Sequence, residues 1–252
     1  MITAEKNAQL KNIALLLKKS KERKEQNLFV VEGRKMFEEA LSLGLIKKAF
    51  FSESFFREHG EYECEYECVT DEVFDKIAET VTPQGVIALV NMPRFDFDEC
   101  LNKAMSIVVL EALQDPGNMG TIVRTAEAAG IDMIVMSSDT VDVYNPKVVR
   151  STMGSIFRMP IFTVTDIYEF TDKLNNMSFN TIATSLKAKK DYTHADYAGK
   201  CAVFIGNEGN GLTERLVSLS KEKIIIPMSG RSESLNASVA AALMMYEIKR
   251  NR

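Results

Sequence analysis

The sequence predicts an α/β protein in two parts, and three observations carry that expectation. Across residues 104–252, short β-branched apolar runs alternate with helix-forming segments almost to the end, the pattern of a mostly parallel sheet covered by helices. Three of those runs open into loops rich in Gly, Asn, Ser and Glu: Asp115 to Gly120, Gly206 to Gly211 and Met228 to Asn236. Upstream, residues 1–95 hold a smaller set of strands and helices. They are set off by Asn91 to Cys100, where Pro, Asp and Arg occur without helical periodicity until Phe97. A chain of 252 residues is long enough for two such units, each with its own core.

Taken in order, the first part opens with a helix over residues 4–19, Ile13, Leu16 and Leu17 on one side and lysines on the other. Leu28 to Val31 reads as a strand, Met36 to Leu41 as a helix stopped by Gly44, and Ile46 to Phe51 as a strand. Glu61 to Cys68 alternates acidic and semi-apolar residues, which predicts a strand with Tyr62, Cys64, Tyr66 and Cys68 on one face. A helix over Asp71 to Glu79 follows, with Thr70 as its cap, then a turn at Thr82 to Gly85 and a strand from Val86 to Val90.

In the second part Ile107 to Leu110 is a buried strand, followed by a Pro116-Gly117 turn, a helix from Thr121 and a stop at Gly130. This reading puts Arg124 in the first turns of that helix, where the dipole disfavours a cation. Ile131 to Met136 is the next strand, and Asn145-Pro146 opens another helix. Strands follow at Ile161 to Val164, Thr181 to Thr184, Ala202 to Ile205 and Ile224 to Pro227. Helices are expected at Ile167 to Asn175 and Ala237 to Lys249.

Composition narrows the function classes. Hydrophobic content of 46% and charged content of 26% are ordinary for a water-soluble protein. No apolar run approaches a membrane span, and the N-terminus lacks the apolar core of a signal peptide. A cytoplasmic location and no membrane partner are therefore expected. Net charge of −4 argues against indiscriminate coating of nucleic acid. Yet Lys11, Lys18, Lys19, Lys21, Arg23 and Lys24 crowd the first helix and its exit with only Glu22 opposing them, either a solvated face or a local basic surface. Cys64 and Cys68 lack a second cysteine pair, so no metal is expected.

Loops leaving the carboxyl ends of buried strands suit a polar ligand lying close to the main chain. Neither a G-x-G-x-x-G nor a Gly-Lys-Ser/Thr phosphate loop is present, and neither His59 nor His194 sits at a strand-end loop to serve a Ser-His-Asp set. What remains is Arg124, Asn118, Glu208, Ser234 and Asn236, a set able to orient a hydroxyl and a phosphate but offering no strong conventional base.

Asp115-Pro116-Gly117-Asn118-x-Gly120-Thr121-Ile122-x-Arg124, then Gly206-Asn207-Glu208-Gly209-x-Gly211-Leu212, then Ile226-Pro227-Met228-x-Gly230-x-x-Glu233-Ser234-Leu235-Asn236 closely resemble, in order, the three motifs of the SpoU/TrmH family. These are S-adenosylmethionine-dependent RNA ribose 2′-O-methyltransferases of the SPOUT class. Residues 1–95 resemble, more loosely, an L30e-like substrate-binding domain through Phe29 to Gly33 and Thr82 to Val86. The resemblance implies a SPOUT domain over residues 104–252 with a deep trefoil knot, an exception to the rule that chains do not thread. It also implies a homodimer and a structured RNA partner, ribosomal rather than transfer RNA. It places S-adenosylmethionine against Gly206, Ile226, Met228 and Leu235, and gives Arg124, Asn118, Glu208, Ser234 and Asn236 catalytic or substrate-orienting roles. The rival expectations are a tRNA 2′-O-methyltransferase and a non-catalytic RNA-binding protein that keeps the fold.

Overall fold

A computed structural model describes residues 1–252. The chain begins with α1 (Ala8–Lys18), α2 (Ser20–Gln26), β1 (Leu28–Glu32), α3 (Arg34–Ser42), β2 (Ile46–Ser52), α4 (Glu53–His59), β3 (Tyr66–Val69), α5 (Asp71–Ile77) and β4 (Val86–Asn91). It continues through α6 (Phe97–Lys103), β5 (Ser106–Leu110), α7 (Pro116–Ala129), β6 (Met133–Ser137), α8 (Pro146–Thr152), β7 (Ile161–Val164) and α9 (Ile167–Asn176). It ends with β8 (Asn180–Thr184), β9 (Lys190–Asp191), β10 (Cys201–Ile205), α10 (Glu214–Leu219), β11 (Glu222–Ile225) and α11 (Ala237–Arg250). Two compact units result: Met1–Arg94 with Asp142–Phe157, and Phe95–Val141 with Arg158–Arg252. The stretch Asp142–Phe157, which lies inside the second part in sequence, thus packs with the first unit.

In the first unit a four-stranded sheet runs β1-β4-β2-β3, antiparallel except for β2 beside β3. Leu10, Ile13 and Leu16 of α1 are buried against Val30, Phe50, Val69, Phe74 and Ile87, as the apolar spacing of the first helix requires. That helix is shorter than expected: Asn7 caps it, accepting from the Gln9 amide, and it breaks at Lys19 before α2. The alternating segment pairs as a strand only over Tyr66–Val69. Tyr62 instead sits in the preceding bend with its ring against Phe37, Phe51 and Phe55. Aromatic packing there outweighs extension of the ladder. Helix α4 was not expected, although Ser52 caps it by accepting from the Phe55 amide, Glu53 lies in its first turn and Gly60 stops it.

The second unit holds a seven-stranded, wholly parallel sheet, ordered β7-β6-β5-β10-β8-β11-β9. Its central strands are buried throughout and apolar except for Ser106 and Ser137, as strands covered on both faces must largely be. The chain leaves β5 toward β6 and β7 on one side, and β10 later returns to pair with β5 on the other. The loops after β5 and β10 therefore flank a reversal of strand order, where open α/β sheets bind ligands. No helix is long and apolar enough to cross a membrane.

Candidate active site

The first strand-end loop is shorter than the sequence suggested. Helix α7 starts at Pro116 rather than Thr121, because Asp115 caps it through the Asn118 amide (2.8 Å) and Pro116 fits the first helical position. Asn118 consequently lies in the first turn and is 8% exposed, while Arg124 falls mid-helix, away from the unfavourable end of the dipole. Arg124 is exposed and its guanidinium meets no carboxylate.

Glu208, in the loop after β10, ties three of the expected site residues together. Its Oε1 accepts from the Asp115 amide (2.9 Å) and from Asn118 Nδ2 (3.1 Å), and its Oε2 from the Gln114 amide (3.1 Å). Asn118 Oδ1 in turn accepts from Asn236 Nδ2 (2.9 Å). Asn236 Oδ1 caps α11 by accepting from the Ser238 and Val239 amides. Burial opposes ionisation of Glu208, but the hydrogen bonds from Asn118, Asp115 and Gln114 outweigh it and hold the carboxyl below the usual range. Glu208 is thus a fixed anion that locks two strand-end loops, and Asn236 is both a cap and a member of the same relay.

Beside this relay a cavity of about 680 Å³ opens at the carboxyl ends of β8, β10 and β11, within the range of small-molecule sites. Ile205, Leu212, Ile224, Ile226, Met228 and Leu235 give it apolar walls, and Gly206, Glu208 and Ser234 also line it. The four residues expected to hold a cofactor therefore share one cavity with two of those expected to act on substrate. Asn118 joins through its hydrogen bond to Glu208, and Asn236 through its own to Asn118, whereas Arg124 does not line the cavity. At Gly206 a Cβ would overlap the Gly211 carbonyl carbon and the Leu212 amide nitrogen, so only glycine lets that wall close.

Two contributors went unread in the sequence. Asn207 shapes its own loop by accepting from the Gly209 and Asn210 amides, and donates to the Ala112 carbonyl (2.9 Å). Ala112 has a left-handed backbone (φ 53°), unusual for a residue with a Cβ, so this grip holds a strained position in place. Glu111, 5% exposed, accepts from the amide and hydroxyl of Thr213, which caps α10. Asn207 lies inside a motif and was open to notice; an acid at the end of an apolar strand carries no such signal.

Residues 105–246 match the SpoU rRNA Methylase family, and residues 7–88 match the MRM3-like substrate binding domain. The chain belongs to the SpoU methylase family. A SpoU methylase of this kind is an S-adenosylmethionine-dependent RNA 2′-O-methyltransferase. Among its relatives, the 23S rRNA (guanosine(2553)-2′-O)-methyltransferase RlmP of Bacillus subtilis is 34% identical over 251 residues, 98% of each chain. Among solved structures, the AdoMet-bound rRNA methyltransferase from Sinorhizobium meliloti superposes with a TM-score of 0.85 at 30% identity, covering 99% of this SpoU chain and 97% of that one. AviRb from Streptomyces viridochromogenes, in complex with AdoMet, gives 0.86 at 26% identity over 97% and 98%.

Proposed function

We propose that this methylase acts on a ribose 2′-hydroxyl of 23S rRNA, as a homodimer in the cytoplasm. The observation that carries the reading is the Glu208–Asn118–Asn236 relay beside a mainly apolar cavity of small-molecule size with polar edges. The cavity's chemistry fits S-adenosylmethionine: apolar walls at Ile226, Met228 and Leu235 for a purine, and the main chain of Gly206 in the cavity wall for its polar edge. That donor supplies a methyl on a positively charged sulfur. The 2′-hydroxyl would take that methyl and release its proton to phosphate or water.

The protein's part is positioning. Ser234 and the relay orient the sugar hydroxyl, and the unpaired Arg124 grips an adjacent phosphate and stabilises negative charge developing on the oxygen. Arg124 is not a base, because a guanidinium keeps its proton in proteins. Support for the homodimer comes from α11, whose outer stripe leaves Val239 47% and Tyr246 50% exposed. The expected knot, formed by threading the last loop and α11 through an earlier one, belongs to the same proposal and is supported by the likeness to SpoU structures.

The RlmP likeness makes the guanosine at that enzyme's position the first nucleotide to examine. Ribose-methylation mapping of 23S rRNA from cells with and without the gene tests the reading. Loss of one 2′-O-methyl mark, restored by the wild-type gene, is expected. Loss of a tRNA mark with an unchanged rRNA profile would overturn it.

A further inference from the structure

We propose that the knee between α1 and α2 is a docking surface for the phosphate backbone of the RNA substrate, resting on the rRNA reading above. These two helices and the Lys19 between them carry six cations against two carboxylates, a local net of +4 in a chain whose net is −4. One of the six is spent internally. Arg23, 3% exposed, donates from Nη1 to the Leu16 carbonyl (2.6 Å) and from Nε and Nη2 to Asp142 Oδ2 (3.0 and 2.6 Å). Its planar fork staples the last carbonyls of α1 to the Asp142–Phe157 stretch and fixes the bend at Lys19, where the backbone is extended.

The other five cations stay in solvent. Lys11, Lys18, Lys19 and Lys24 have no acidic partner, and Lys21 has only a loose pair with Glu25 (3.6 Å), both ends largely exposed. Four of the five, Lys18, Lys19, Lys21 and Lys24, crowd the knee within seven residues. Lysines with unspent charge on flexible stems suit a polyanion read by charge alone; they position an RNA without reading its sequence. A lipid surface fits poorly, because α1 spends Leu10, Ile13 and Leu16 in its own core and leaves only Leu15 exposed, with Leu17 partly so, for insertion.

The test replaces Lys18, Lys19, Lys21 and Lys24 together by Gln, with a four-Arg variant as the charge-preserving control. Binding to a 23S rRNA transcript is followed across a KCl series, alongside KM and kcat for RNA and calorimetric affinity for S-adenosylmethionine. The Gln variant is expected to lower the slope of log K against log salt by about 3 and weaken binding at least about tenfold near physiological salt. KM should rise with kcat and S-adenosylmethionine affinity unchanged, and the Arg variant should behave as wild type. An unchanged slope with intact wild-type methylation overturns the surface and leaves the activity standing. Wild-type protein that neither binds nor methylates the transcript overturns the rRNA reading itself. Lysine-dependent binding to phosphatidylserine vesicles, with unaltered RNA binding, would reassign the knee to lipid.

Discussion

Replacing Glu208 by Gln tests whether the relay sets the geometry of methyl transfer. The carboxylate accepts from three donors, the Gln114 and Asp115 amides and Asn118 Nδ2. An amide offers one accepting oxygen, and its NH₂ must then face a donor. The least costly orientation keeps Asp115 and Asn118 on the oxygen and strands the Gln114 amide. A hydrogen bond to a charged acceptor is worth ~1.5–3 kcal/mol, and solvent access to Glu208 puts this one at the lower end. Loss of ~1.5 kcal/mol from transition-state positioning slows the reaction about tenfold. The assay is single-turnover transfer of labelled methyl to 23S rRNA, with S-adenosylmethionine affinity measured in parallel. A rate within about twofold of wild type, at unchanged affinity, would refute the relay as a positioning device.

Four other outcomes are expected. Arg124→Lys keeps the charge but loses the fork, and single-turnover methylation should fall about 10- to 100-fold; a wild-type rate rules out bidentate positioning. Gly206→Ala puts a methyl into the Gly211–Leu212 main chain, so S-adenosylmethionine affinity should drop at least about tenfold by calorimetry, with a stability loss of ~1–3 kcal/mol. Asp142→Asn leaves the buried Arg23 guanidinium without its counter-charge and should cost ~3 kcal/mol in urea unfolding, towards the low end because the Leu16 and Leu17 carbonyls still accept from it. Glu208 has a depressed pKa, so its contribution to stability is present above the ordinary carboxylate value of 4.5. It is lost as pH falls from that value through the lower folded one, and an acid-unfolding titration should find Glu208→Gln less pH-sensitive only within that window.

Strands and long helices were legible where one physical cause dominates. Val108, Val109 and Leu110 can only be a covered strand, and the Asn145-Pro146 pair announces α8 as a cap and first residue. The failures have causes too. Pro116-Gly117 reads as a turn until Asp115 is seen accepting from Asn118, after which the same residues are a helix start. Helices α4 and α10 are short and depend on single capping residues, Ser52 and Thr213, that the surrounding charge and apolar residues mask. At the site, the motif residues were readable but their wiring was not. Nothing in the spacing of Asn118, Glu208 and Asn236 reveals that the first bridges the other two across roughly ninety and one hundred and twenty residues.

That wiring also answers how the site works without a conventional base. Neither His59 nor His194 lines the cavity, and Glu208 is pulled toward permanent ionisation with its oxygens already engaged. A strong base is not needed: as the 2′-oxygen takes on the methyl, its own proton becomes acidic enough to leave to phosphate or water. The barrier lies in bringing oxygen and methyl into line, and alignment contributes most when the orienting groups cannot move. A carboxylate bonded to two backbone amides and one carboxamide, itself bonded to the cap of α11, is rigid in that sense. Such a site spends its polar groups on one another to fix geometry; in the proposed function, the exposed Arg124 would then be the cation that meets the incoming phosphate.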